Sequence, residues 1–255
     1  MGATNAEAVS VVLVVPCYNE AERLDTEQFV AWSKEHPRVS FVFVDDGSED
    51  NTREVLEQLV ARRPKRFHAH ALTENQGKAE AVRQGVLHAL DVCDAEYFGY
   101  WDADLATPLD ELPRFIDALD SHDDIDMILG SRVKLLGRHI DRQPMRHYLG
   151  RIFATAASLT LRLRVYDTQC GAKLFRRREA TVAPFREPFT TRWVFDVQML
   201  QRYLQRAPKD RIIEIPLMKW VDVAGSKVKP TDFFVAFFDL LRIAAEGRHN
   251  PGSPD

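Results

Sequence analysis

The sequence predicts an α/β fold with a mostly parallel central sheet flanked by helices, and three observations carry that expectation. Apolar runs rich in Val, Phe and Tyr at 9–15, 39–44 and 95–101 alternate with stretches whose apolar residues recur at helical spacing. Runs this apolar suit strands covered on both faces, and strand-helix alternation calls for right-handed crossovers between parallel strands. Carboxylates also follow two of the runs directly: Asp45 and Asp46 after the second, Asp102 and Asp104 after the third. Ligands of such sheets sit beyond the carboxyl ends of the strands. The four acids are therefore expected to line one crevice suited to a divalent cation and a nucleotide diphosphate.

The elements follow in order. The run 9–15 is the first strand, and Pro16, which cannot donate into a ladder, is expected to end it. Residues 22–34 read as the first crossover helix and 39–44 as the second strand, closed by the turn Asp45-Asp46-Gly47-Ser48. Asp50 or Asn51 can cap a helix over 52–61, because a short polar side chain reaches the free N–H groups of a first turn. A short strand at 67–72 precedes Gly77, which opens a helix over 78–90 with Ala81, Val82, Val86 and Ala89 on one side. The fourth strand ends at Trp101, and 108–119 forms the next helix. Beyond it the pattern gives a strand at 126–132 and a long helix over 142–163 with Met145, Tyr148, Leu149, Ile152, Phe153, Ala156 and Leu159 on an apolar face. A loop from Asp167 then leads to a strand ending near Phe175. A helix at 195–205, a strand at 211–218 and an amphipathic helix at 231–245 complete the chain. Residues 1–8 and 246–255 are expected to be flexible ends of a single domain spanning 9–245.

Composition narrows the function classes. The 255 residues suffice for one domain with a full core, and a formal charge of −4 argues against a nucleic-acid surface. Cys17, Cys93 and Cys170 have no paired metal or redox spacing, so buried free thiols in a reducing compartment are expected. The eight histidines form no metal pattern. No signal-peptide pattern opens the sequence, and Phe233-Phe234-Val235-Ala236-Phe237-Phe238 is interrupted by Asp239 and Arg242 before it reaches a spanning length. A cytoplasmic chain is expected, with membrane contact no more than peripheral. Such contact could use Met145, Leu149, Phe153 and nearby basic residues, or the Phe-rich final helix; core packing or an oligomer contact explains the same residues.

Five ordered motifs, Val15-Pro16-Cys17-Tyr18-Asn19-Glu20, Val44-Asp45-Asp46-Gly47-Ser48 with Asp50 and Thr52, Asn75-Gln76-Gly77-Lys78, Asp102-Ala103-Asp104 and Gly130-Ser131-Arg132, together resemble the inverting family 2 glycosyltransferases. The block from Asp167 to Phe175, Arg192-Trp193-Val194-Phe195-Asp196, and Trp220 followed by Gly225-Ser226-Lys227 are similar to the dolichyl-phosphate β-glucosyltransferase branch, with polyprenyl-phosphate mannosyltransferases as near relatives. The resemblance implies a GT-A type nucleotide-diphospho-sugar transferase fold, a UDP-glucose donor, a dolichyl or polyprenyl phosphate acceptor, and Mg²⁺ or Mn²⁺ as cofactor. GDP-mannose as donor, a hydroxyl acceptor, and a non-catalytic nucleotide-sugar sensor are the alternatives. An oligomer or a membrane-protein partner is left open. Two departures stand out: Ala79 occupies a place where relatives commonly carry a second glycine, and the N-terminal membrane anchor of the eukaryotic relatives is not expected in this chain.

Chemistry assigns roles within that frame. Asp104 is the first candidate metal ligand, a hard oxygen for a hard cation, with Asp102 assisting through water or holding the ribose. Pro16, Tyr18, Glu20, Asp45 and Asp46 are candidates for the nucleoside, although strand-end packing explains Pro16 and Tyr18 equally well. Lys78, at a helix start, would face a phosphate. The resemblance places the acceptor phosphate among Arg132, Arg142 and Arg146, whose guanidinium groups match phosphate oxygens in pairs. Asp167, Gln169, Arg192, Trp193 and Lys227 are the other acceptor-side candidates. Asp196 is expected to orient an arginine or a sugar hydroxyl, and Trp193 and Trp220 to pack.

Overall fold

The structure, a computed structural model, describes residues 10–141, 144–222 and 230–248; among these, side chains are described except at 144–149, 230–234, 237 and 246–248. The expected flexible segment 1–8 lies outside the described residues, as does the tail beyond 248. In chain order the elements are β1 (Val11–Cys17), α1 (Thr26–Glu35), β2 (Val39–Asp45), α2 (Thr52–Arg62), β3 (Phe67–Ala71), α3 (Lys78–Val92), β4 (Tyr97–Trp101), α4 (Leu112–Asp120), β5 (Met127–Ser131), β6 (His139–Asp141), α5 (Pro144–Leu161), β7 (Ala172–Arg176), α6 (Glu179–Val182), α7 (Phe195–Leu204), β8 (Ile212–Pro216), β9 (Lys219–Val221) and α8 (Pro230–Arg248). The α/β alternation is as expected. The chain divides into two compact units, 1–105 with 174–177, and 106–173 with 178–255.

In the first unit the strand order is β3-β2-β1-β4, with residues 174–176 of β7 beside β4. Pairing of β1 with β2 and β4, and of β2 with β3, is parallel. The carboxyl ends of β2, β1 and β4 therefore point the same way, which is what delivers Asp45, Glu20 and Asp102 to one edge. Behind them Val11 to Val15 are fully buried, and Phe29 meets Phe41 and Phe43 edge-on at 5.5 and 5.1 Å. Such ring pairs add to the burial of large apolar surface.

Pro16 does not end β1. The strand continues to Cys17, in register with Val44 and Asp45 on β2, whereas its pairing with β4 stops at Val14. The Cys17 carbonyl accepts from Asp46 on the β2 side, so by strand alternation the missing N–H of Pro16 falls on the side where the ladder has already finished. The first helix also starts later than expected, at Thr26, because Asp25 caps it by accepting from the Gln28 N–H at 2.9 Å. Asn51 occupies the cap position of α2, yet Asp50 does the capping, accepting from Thr52 N–H at 3.0 Å.

In the second unit β5 pairs β8 in parallel, and a small parallel pair, β6 with β9, escaped the sequence reading because each strand has three residues. The stretch expected as helix over 108–119 opens as a 3₁₀ turn at Leu109–Glu111, and α4 follows with a proline in its first turn. α5 buries Ala154, Ala157 and Leu161, while Ile152 and Leu159, expected on its apolar face, are 68% and 76% exposed. α8 buries Ala236, Leu240 and Ile243 and exposes Val235, Phe238 and Leu241. It runs to Arg248, past the expected end at 245.

Candidate active site

Two clusters of charged side chains, one in each unit, hold most of the described candidates. In the first unit the loops after β1 and β2 are stitched together. Asn19 N–H donates to Ser48 Oγ at 3.0 Å, Glu20 N–H to Thr52 Oγ1 at 2.8 Å, and Glu49 N–H to the Asn19 side-chain oxygen at 2.9 Å. Asn19 holds a positive φ of 51°, a conformation its short polar side chain tolerates. Gly47, at φ 62°, has no such choice: a Cβ there would stand 2.3 Å from the backbone carbon of Glu74.

Asp45 and Asp46 are almost fully buried and brace this edge. The Asp45 carboxylate accepts from Ser48 N–H at 3.0 Å and lies 3.6 Å from Arg53. The Asp46 carboxylate accepts from Gln76 and Gly77 N–H groups at 2.8 and 2.9 Å and from the Asn75 amide at 3.0 Å. It thereby fixes the start of α3, and the next residue, Lys78, pairs with Asp102. Asp46 and Asp102 are thus linked through Gly77 and Lys78. A parallel link runs from Glu20 through Arg23 to Asp104, at 3.6 and 3.8 Å. Asp102 and Asp104 follow the buried end of β4 and keep 33% and 28% of their side chains exposed. Each carboxylate faces a cation and water together.

The second unit holds the other cluster. Arg132, just past β5, donates from Nε and Nη2 to the two Asp167 oxygens at 2.6 and 2.8 Å, a bidentate fork that fixes the guanidinium plane. The Trp220 ring centre lies 5.4 Å from that guanidinium, within cation-π reach. Asp167 also accepts from its own loop, at Gln169 N–H. Glu214 on β8 accepts from the N–H groups of Tyr166 and Asp167 at 2.8 and 2.7 Å. Burial pushes the Glu214 carboxyl above the ordinary carboxylate range, against the pull of those two N–H groups. Below the loop Lys173 is wholly buried, its ammonium on Asp196 at 2.6 Å. The Gln169 side-chain nitrogen is buried with no hydrogen-bond partner among the described residues, a donor that a ligand oxygen would satisfy.

The glycosyl transferase family 2 profile matches residues 12–180. The chain belongs to that family. A dolichyl-phosphate beta-glucosyltransferase of Trichomonas vaginalis is 32% identical over 248 residues, covering 92% of this chain and 71% of that protein. The Saccharomyces cerevisiae enzyme of the same name is 32% identical, covering 87% and 70%, and the Homo sapiens one 31%, covering 86% and 69%. Among solved structures, glucosyl-3-phosphoglycerate synthase of Mycobacterium tuberculosis, in complex with Mn²⁺, UDP and glucosyl-3-phosphoglycerate, superposes with a TM-score of 0.65 at 17% identity, covering 97% of this chain and 81% of that one. Mannosyl-3-phosphoglycerate synthase of Rubrobacter xylanophilus gives 0.68 at 15% identity, covering 97% and 76%. The fold is the GT-A type that the resemblance implied, and this family 2 enzyme is a nucleotide-sugar-dependent glycosyltransferase.

In this family 2 chain the structure brings Glu20, Asp45, Asp46, Lys78, Asp102 and Asp104 to one edge of the first unit, and Arg132, Asp167 and Gln169 to one loop pair in the second. Arg142 and Lys227 lie outside the described residues, and so does the side chain of Arg146. Arg192 is exposed, and Trp193, expected to pack, is 40% exposed. Asp196, expected to orient an arginine or a sugar hydroxyl, holds the Lys173 ammonium at 2.6 Å. Sequence reasoning missed Arg23, Glu214 and Lys173. Lys173 had left a signal, a lone charge inside the apolar strand Ala172-Lys173-Leu174-Phe175, which can be buried only with a partner.

Proposed function

We propose that this chain transfers glucose from UDP-glucose to a dolichyl or polyprenyl phosphate, inverting the anomeric centre to give a β-linked lipid-phosphate sugar. The observation that carries the reading is similarity to dolichyl-phosphate beta-glucosyltransferases along 92% of the chain, through both charged clusters. Residues 9–245 would then work as one catalytic domain.

On the donor side Pro16, Tyr18, Glu20, Asp45 and Asp46 would seat the nucleoside. Asp102 and Asp104 fit a Mg²⁺ or Mn²⁺ ion: they are hard oxygen donors on one loop and partly exposed. Among the described residues they belong to no group of three or more potential ligands. Two carboxylates completed by substrate phosphates is the usual way such ions are held. When bound, the ion would supply positive charge against the diphosphate of the donor. Lys78 would move from Asp102 to a diphosphate oxygen, exchanging one exposed ion pair for another, and stabilise UDP as negative charge grows on it.

On the acceptor side Arg132 would take the lipid phosphate, with Gln169 donating to a phosphate or sugar oxygen. Arg142, Arg146, Arg192, Trp193 and Lys227 are the further candidates. An oxygen of the phosphate attacks the anomeric carbon as the bond from that carbon to UDP breaks, and UDP departs with the bonding pair. The acceptor is ionised near neutral pH, so no strong base is required.

No described helix is long and apolar enough to cross a membrane. The exposed Ile152 and Leu159 on α5, and Val235, Phe238 and Leu241 on α8, suit peripheral contact with the bilayer that carries the acceptor.

A panel of UDP-glucose and GDP-mannose against a short polyprenyl phosphate, 3-phosphoglycerate and a free polyprenol, read by mass spectrometry of the product, tests the assignment. Glucosyl-phospholipid formation that stops in excess chelator is the expected outcome. Transfer only to 3-phosphoglycerate or to the free alcohol would overturn the acceptor, and a mannosyl product alone would overturn the donor.

A further inference from the structure

We infer that Lys173 and Asp196 are positioning residues for the acceptor-side arginine, acting through the 166–170 loop to hold the Asp167 fork on Arg132. The inference rests on the reading above, in which Arg132 binds the acceptor phosphate.

The loop leading into β7 has its backbone gripped from two directions. Glu214 takes the N–H groups of Tyr166 and Asp167 at 2.8 and 2.7 Å. Lys173 donates to the carbonyls of Thr168 and Cys170 at 3.0 and 2.6 Å, and its third donor meets Asp196 at 2.6 Å. An ammonium has three N–H donors, and three protein acceptors receive them. Asp196 in turn sits in the first turn of α7, where the helix dipole favours an anion. Two N–H groups and two carbonyls are thus fixed within five residues, and the same five carry the Asp167 carboxylate.

Strand packing by itself does not call for a charge here. A buried ion pair is weak evidence for stability, since well-packed apolar residues of similar volume serve as well or better. What a methionine at 173 would lose is the grip on two loop carbonyls. Nearby, Gly130 lets the loop lie close to β5: a Cβ there would be 3.1 Å from both the Cys170 sulfur and the Ala172 carbonyl. Loop, fork and arginine therefore form one rigid arrangement, and small displacements of a binding group are expensive in rate.

The test is a double-mutant cycle in the full chain, with UDP-glucose and a short polyprenyl phosphate. It compares the parent, Arg132→Ala, Lys173→Met with Asp196→Leu, and the combination of all three substitutions. In the Lys173/Asp196 variant the acceptor KM is expected to rise about tenfold while the UDP-glucose KM stays within about twofold. Added to Arg132→Ala, the pair should do no further harm, because residues acting through one contact are not additive. Glu214→Gln, which keeps one acceptor for the loop N–H groups, should move the acceptor KM the same way by about threefold, and it serves where the first variant fails to fold. Donor and acceptor KM rising together, or losses that multiply in the combined variant, would overturn the inference. Arg132→Ala weakening the acceptor while the other variants leave it untouched would also overturn it and spare the functional reading. An acceptor KM unchanged by Arg132→Ala would overturn the functional reading itself.

Discussion

The two charged clusters use the same chemistry in opposite surroundings. In the first unit the Lys78 and Asp102 side chains are 42% and 33% exposed, and Arg23 and Asp104 29% and 28%. In the second, Arg132 and Asp167 are 15% and 7% exposed, and Lys173 and Asp196 0% and 8%. Water screens the first set, so its ion pairs can be exchanged for a metal ion and a diphosphate at little cost. The second set is desolvated, and a member left alone has nowhere to discharge its field. On the proposed function, exposure marks the pairs that ligands would exchange, and burial the pairs that hold a shape.

The contrast can be broken most directly at Asp104. Asp104→Ala should lower turnover about 10³-fold, measured as UDP release on adding polyprenyl phosphate, while leaving the melting temperature close to the parent's. The reverse pattern is expected inside the second unit. Lys173→Met alone strands the Asp196 carboxylate and should remove about 3–5 kcal/mol of stability in urea unfolding, most of it recovered when Asp196→Leu is added. Equal stability of the single and double variants would show that the pair is not desolvated. Lys78→Ala sharpens the comparison: a fall in kcat of about 10²-fold with a stability change below about 1 kcal/mol. A large loss of stability there would mean that the pair with Asp102 is structural.

Protonation provides a smaller effect. Burial depresses His68, His70 and His88 below the ordinary 6.5, with a neighbouring histidine adding to it for His70 and His88. A group lowered in the fold is held neutral there, so its contribution is complete above the unfolded value. Stability should therefore fall as pH drops below 6.5 toward the depressed native values. Urea midpoints at about pH 7.5 and 5.5 measure the drop, and His88→Asn should shrink it. The smallest effect concerns the buried thiols. Burial raises Cys17 and Cys93 and pushes Cys170 up to about 11, so iodoacetamide at neutral pH should leave all three unmodified until denaturant is added.

Much of the first unit was legible in the sequence because its signals are local. Continuous apolar runs specify strands buried on both faces, and the acids directly after them ride to the carboxyl edge once the strands are parallel. The misreadings there, at Pro16 and at the start of α1, concern where a ladder or a cap stops, which depends on a neighbour. The second unit was harder. Glu214 lies 47 residues from the Asp167 N–H that it accepts, and Arg132 lies 35 residues from the same Asp167. No periodicity links positions so far apart.

By itself the sequence determined the alternation of strands and helices, the identity and order of the acids at the strand ends, and membership of the family through motifs spread along the chain. Those follow from side-chain shape, backbone preference and hydrophobic spacing, which act between near neighbours. Only the tertiary structure decided which cation meets which carboxylate, and which of those pairs lose their water. Coulomb attraction and desolvation depend on distance and burial in space, and these exist only once the chain is packed.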